Sequence, residues 1–216
     1  MLKKLLRKEL VLSMHPTVPL MLLLCVMVLI PNYPYTVVFF YSTLSLFFTC
    51  LLGRENNDVV YTVGLPVDKR DAVKARMLFA ALFQLLQLAL VAVLCAVRRR
   101  LGLPANEGGL EANTALIGVG LMLFGGFNWV FFTSYYHNVK RVGTSFIVAS
   151  ALFFAAVIVG EVLLHVAPFL RDRLDTVDPL FMPEKLATLA VGAAVYVGAT
   201  YAAYRKSARL FERQDL

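Results

Sequence analysis

Gly53-Arg54-Glu55-Asn56-Asn57-Asp58-Val59-Val60-Tyr61-Thr62-Val63-Gly64-Leu65-Pro66-Val67-Asp68-Lys69-Arg70 is a polar stretch held between two long apolar ones, residues 34–52 and 72–97. A chain that crosses a bilayer has to leave it where hydrogen-bonding groups need water, so the stretch predicts an exit and a return. Six of its side chains are ionised, with both signs present. A minimal turn between spans needs no such surface, and this one predicts a contact with another molecule.

The flanking composition fits that reading. The chain has 216 residues, of which 59% are hydrophobic and 16% charged, and a mean hydropathy of +0.71; soluble domains carry about 25% charged residues. Several apolar runs reach the roughly 20 residues that cross the hydrocarbon core as a helix. The expected fold class is an all-α integral membrane protein with six transmembrane helices, at 16–32, 34–53, 73–97, 113–134, 144–167 and 186–204, forming one transmembrane domain over residues 1–216. The first run is the shortest and is bracketed by Pro16, Pro31 and Pro34. It follows a basic start without a small-residue cleavage site, which predicts a retained anchor.

Charge sets the orientation. With the N-terminus inside, fifteen of the 21 Lys and Arg residues fall on inner segments and six on outer ones, which predicts both termini in the cytoplasm. The Arg98-Arg99-Arg100 triplet is the exception, at the outer end of the third run. The net charge of +7 is spread along span edges, so it is an orientation signal and argues against nucleic-acid binding. Cys25, Cys50 and Cys95 lie in apolar runs without paired or metal-like spacing, so neither a disulfide nor a metal site is expected.

Local patterns add detail. Leu2, Leu5, Leu6 and Leu10 share a helical side opposite Lys3, Lys4, Arg7 and Lys8, which predicts a basic amphipathic helix over residues 1–15 lying in the membrane interface. Within the 54–71 loop, residues 55–63 lack Pro and Gly, while Gly64 and Pro66 end a helix. Val59, Val60 and Val63 form its apolar side, with Glu55 and Asp58 on the other. Asp68 is the expected N-cap of the next span. Residues 168–185 alternate apolar and charged groups and predict a short helix at the outer surface.

Polar groups inside spans are expensive and therefore candidates for function. Gln84 and Gln87 share a side of the third run, and Asn128 lies in the fourth. Glu161 and His165, one turn apart, lie near the outer end of the fifth. They are read either as lining a cargo pathway or as interhelical hydrogen-bonding groups. Gly118, Gly120, Gly125 and Gly126 predict close helix approach. No catalytic residue is expected: there is no Gly-x-Ser-x-Gly elbow, no His-Glu-x-x-His helix and no phosphate-binding Gly-x-x-x-x-Gly-Lys-Ser/Thr loop.

At the quoted loop, the run Arg54-Glu55-Asn56-Asn57-Asp58 followed by Leu65-Pro66-Val67-Asp68-Lys69-Arg70 resembles the permease subunits of type-2 ATP-binding-cassette exporters. Many members carry Gly-Thr where this chain has Asn57-Asp58. The Arg-Glu-Asn-Asn-Asp version is similar to a subgroup that includes exporters of phenol-soluble modulins, which are amphipathic peptides. The resemblance implies a coupling helix between spans two and three, with Arg54, Glu55, Asn56, Asn57, Asp58, Val59, Val60, Val63 and Pro66 contacting an ATPase. It also implies two ATPase copies that bind ATP and magnesium, a second permease chain (identical or paralogous), surrounding membrane lipids and a peptide cargo, in a bacterial cytoplasmic membrane. Alternatives that stay open are efflux of drugs, lipids or bacteriocins, an ATPase-independent immunity or regulatory protein, and an intramembrane enzyme.

Overall fold

The computed structural model describes residues 1–214 and builds them into helices joined by short connections. Helix α1 (Leu2–Lys8) continues as a wider π turn over Glu9–Ser13. After His15 and Pro16 the chain turns by 86° into α2 (Thr17–Leu23), whose last turns tighten into a 3-10 helix over Leu24–Leu29. A 3-10 turn over Tyr35–Phe39 leads into α3 (Phe40–Glu55). Then come α4 (Asp58–Gly64), α5 (Lys69–Arg100), α6 (Thr114–Tyr135), α7 (Val142–Val166), α8 (Pro168–Leu174) and α9 (Met182–Glu212).

Among the described residues, five segments are long and apolar enough to cross a membrane: Tyr35–Glu55, α5, α6, α7 and α9. The sixth expected span takes a different form. The straight part, 17–29, covers only about 22 Å at the rises of α and 3-10 helices, less than the roughly 30 Å hydrocarbon core. It reaches the count of six only with the bent segment before it. Two prolines, Pro16 and Pro19, fix this break, because a proline fits the first turn of a helix and interrupts a longer one. The helical content and the apolar segments make this a multi-pass membrane protein.

Helix α6 is the centre. Phe124, Phe127, Phe131, Phe132 and Tyr135 are all buried, and Phe127, Phe131 and Tyr135, each four residues apart, stack with ring centroids 5.3 and 5.8 Å apart. Its most extensive neighbour is α9. Gly118 and Gly192 make that approach possible: a Cβ on Gly192 would stand 2.2 Å from the Gly118 carbonyl oxygen, and one on Gly118 would stand 2.7 Å from the Thr188 carbonyl oxygen. In lipid no apolar driving force holds helices together, so such close backbone packing carries the association. Gly120 admits the Phe39 ring and Gly125 the α9 backbone, whereas Gly126 faces open space. Helix α7 buries one narrow stripe, Ser145, Ala149, Phe153 and Val157, and exposes Ile147, Leu152, Ile158 and Val162, the pattern of a helix whose other side meets lipid.

The chain termini, α4 and the start of α5 lie at one end of the bundle, which we call the terminal end; the 101–113 and 167–181 connections close the far end.

Candidate functional site

The residues 53–70 that stood out in the sequence form the terminal end, in a geometry that differs from the expected one. Glu55 is the last residue of α3, and the following helix starts only at Asp58. Asn57 takes a left-handed conformation, φ 52°, which Asn tolerates better than most residues and which stops a helix from running through. This two-residue break, with Asn57 left-handed, rotates α4 so that Asp58 points into the bundle. Val59 and Val63 pack against the core, while Val60 and Tyr61 are 51% and 66% exposed. The expected single side of Val59, Val60 and Val63 is thus divided between the core and the surface. Arg54 and Glu55 form an exposed pair 3.7 Å apart, and Asn56, Asn57 and Pro66 are exposed. The Asp68 side chain caps α5, accepting from the Arg70 amide at 3.0 Å.

Asp58 enters a buried knot of charges from three helices. Arg76, on the first turns of α5 and 3% exposed, donates from Nη2 to Asp58 Oδ2 at 2.6 Å and to Glu9 Oε1 at 3.2 Å, and its Nε meets the other Glu9 oxygen. Lys8 pairs with Asp58 Oδ1 and donates to Thr62 Oγ1 at 2.8 Å. The Thr62 hydroxyl in turn donates to the Asp58 carbonyl at 2.7 Å, and Ser13 donates to Asp58 Oδ2 at 3.4 Å. Burial pushes the Asp58 carboxyl up, but Arg76 and Lys8 together outweigh it and hold it below the ordinary carboxylate value. Two cations and two anions balance here, so removing any one strands a buried charge. The arrangement has no nucleophile–base geometry. What it can do is mechanical: α1, α4 and α5 are bound at one point and move together.

A comparison with protein-family models matches residues 4–212 to the ABC-2 family transporter protein. The chain belongs to the ABC-2 transporter family. No curated protein and no solved structure matches it. An ABC-2 membrane protein of this kind is the permease part of a transporter and generally works with an ATP-hydrolysing partner.

The polar groups inside the spans of this ABC-2 chain fall into two sets. Gln84 and Asn128 bond to each other reciprocally, at 2.8 and 2.9 Å, with Thr200 and Tyr196 of α9 attached at 3.1 and 3.0 Å. They tie α5, α6 and α9 together at a fully buried point. Gln87 donates to the Val38 carbonyl at 2.9 Å. Glu161 is different. Its Oε1 accepts from Thr36 at 3.0 Å, but its buried Oε2 has no hydrogen-bond partner among the described residues. His165 Nδ1 lies 2.8 Å from the Glu161 backbone carbonyl, and its side chain is turned outward.

The sequence pattern gives Lys8 only a place on the basic side of α1, and gives Glu9 and Arg76 no site role. One signal was available: Glu9 is the only acid among the first 54 residues, set within an otherwise basic flank. The far end holds a second group, built on Arg98 of the exceptional triplet. Arg98 is buried, donates to Glu111 Oε1 at 3.3 Å and to the carbonyls of Pro104 and Leu29, and stands over the Tyr35 ring at 5.3 Å. Lys185, fully buried, donates to Asp178 at 3.0 Å and to the Thr176 carbonyl at 2.6 Å.

Proposed function

We propose that the chain is the permease subunit of an ATP-driven exporter in a bacterial cytoplasmic membrane, with both termini in the cytoplasm and α4 as the lever on which a separate ATPase acts. The observation that carries this is the charge knot. α4 presents Val60, Tyr61 and Leu65 outward, while its Asp58 is bound to Arg76 of α5 and Lys8 of α1. A push on the exposed side is then passed to the 32-residue α5 as a rigid-body displacement, without bending α4 alone. In this reading two ATPase copies, each with ATP and magnesium, serve two permease chains. The cargo is an amphipathic or hydrophobic peptide, and α1 lies in the inner interface with its exposed cations Lys3, Lys4 and Arg7 at the headgroups.

The pathway candidates divide in the same reading. Gln84, Gln87 and Asn128 hold helices together within one chain, and Glu161, with His165 one turn further out, is the group left to meet cargo. The test is export by vesicles containing permease and ATPase. Charge reversal at the exposed Glu55, or Val60→Pro, is expected to leave the protein inserted and ATP hydrolysis running while export falls. Unchanged export in both variants removes the lever assignment. Full export by the permease without any ATPase removes the energy source.

A further inference from the structure

Near the far end of the bundle, Glu161 forms one wall of a cavity of about 260 Å³ between α6, α7 and α8. The rest of the lining is almost entirely apolar: Val119 and Met122 from α6, Val157 and Leu164 from α7, Leu170 from α8, and Leu110 from the connection before α6. Thr36 is the only other polar side chain there. Dry apolar cavities of about 150 Å³ already hold a benzene molecule, so this one has room for a stretch of alkyl chain. No Lys or Arg lines it, and none pairs with Glu161 among the described residues.

The carboxylate is held in place. The Thr36 hydroxyl fixes Oε1, and the backbone at Gly109 packs so closely that a Cβ there would stand 2.8 Å from Oε2. Gly109 has φ +146°, a conformation open to glycine and strained for other residues, so the approach is built into the connection. Glu9, Asp58, Glu111 and Asp178 each have a cation against them, and Asp175, which has none, accepts from the Glu111 amide. An ionisable group at such depth normally has a partner, and a charge left unpaired there is costly.

We infer that this cavity binds a single-chain amphiphile bearing a primary ammonium group, the ammonium on the Glu161 carboxylate and the alkyl chain between α6 and α7. An ammonium supplies the counter-charge that this carboxylate lacks, with donors to spare, and the apolar walls supply the remaining affinity by burial. The site does not rest on the exporter reading, because binding needs neither ATPase nor transport.

The experiment uses the full-length protein in phosphatidylcholine nanodiscs without ATPase, with radiolabelled dodecylamine as the probe and protein-free discs as the blank. One saturable site per chain is expected. Unlabelled dodecanol, which has the chain but no charge, should compete poorly. Glu161→Gln should weaken binding about tenfold or more, as expected for loss of a desolvated charge pair. Gly160→Leu, at a lining position where an added Cβ meets nothing within 4 Å, should block binding by filling the space while leaving Glu161 intact, which keeps the test decisive if the Gln variant folds poorly. Absence of saturable binding, equal competition by dodecanol, or unchanged affinity in Gly160→Leu would each overturn the proposal.

Discussion

The two ends of the bundle each bury a group of charges, and they do so by different means. At the terminal end the partners are side chains on three helices, and Arg76 is shared by Glu9 and Asp58. At the far end most bonds run from side chain to backbone. Glu111 accepts from the amides of Asn106 and Ala112 at 2.7 and 2.9 Å as well as from Arg98, and its own amide donates to Asp175 at 2.7 Å. Asn113 donates to the carbonyls of Leu174 and Thr176 at 2.6 and 2.8 Å, and Asp178 accepts from Thr114 at 3.0 and 2.8 Å. The terminal knot therefore depends on one guanidinium and joins movable helices, whereas the far-end network is spread over many backbone groups and fastens two connections to each other. A single-residue hub suits an element that transmits displacement; a distributed network suits a closed end.

The largest expected effect comes from removing the hub. Arg76→Gln leaves Glu9 and Asp58 with Lys8 as their one shared cation in a buried site and should destabilise the protein by about 3–5 kcal/mol, read from unfolding in mild detergent. Arg98→Gln removes an equally buried guanidinium, but Glu111 keeps two backbone amides, so a loss of about 1–3 kcal/mol is expected. If Arg98→Gln costs as much as Arg76→Gln, the contrast between the two ends fails.

Acidity separates the ends by sign. Asp58 is held below its unfolded value of 3.8. Its contribution to stability is complete above that value and is lost as pH falls through the folded one. Burial raises Asp175 above 3.8, with the Glu111 amide pulling partly the other way. Its contribution is complete below 3.8 and is lost as pH rises through the folded value. In unfolding curves between pH 3 and 7, Asp58→Asn should be weakened at neutral pH and approach the parent protein in acid. Asp175→Asn should match the parent protein in acid and gain on it as pH rises. Parallel curves for the two variants would remove the distinction.

The smallest effect sharpens the comparison by leaving the knot alone. Arg70, a neighbour of the terminal knot in sequence, donates to Glu212 at 3.1 Å in an exposed pair. Arg70→Ala should leave stability nearly unchanged, as solvent screens an exposed pair, measured in the same detergent.

Much of this architecture is legible in the residues. The apolar runs, the polar break at 53–70, the Asp68 cap and three of the four glycines singled out in α6 behave as local chemistry requires. The misread parts share one cause. Helical periodicity carried through Asn57 puts Asp58 on the outer side, but one left-handed residue changes the phase of all that follows. Arg98, Arg99 and Arg100 look alike in the sequence, yet only Arg98 is buried, because helix phase and the position of Glu111 select it. Glu9 and Arg76 stand 67 residues apart, and no local pattern connects them.

Membrane insertion, the segments that cross and the places where the chain must emerge were set residue by residue along the chain, because hydrocarbon tests each run of about 20 residues for apolarity on its own. Which cation meets which acid, which valines of α4 stay exposed and that Glu161 is left without a counter-charge were decided by folding. Charges at short range in a low-dielectric interior interact strongly enough to fix their partners, and those partners come from distant turns that meet only when the helices pack.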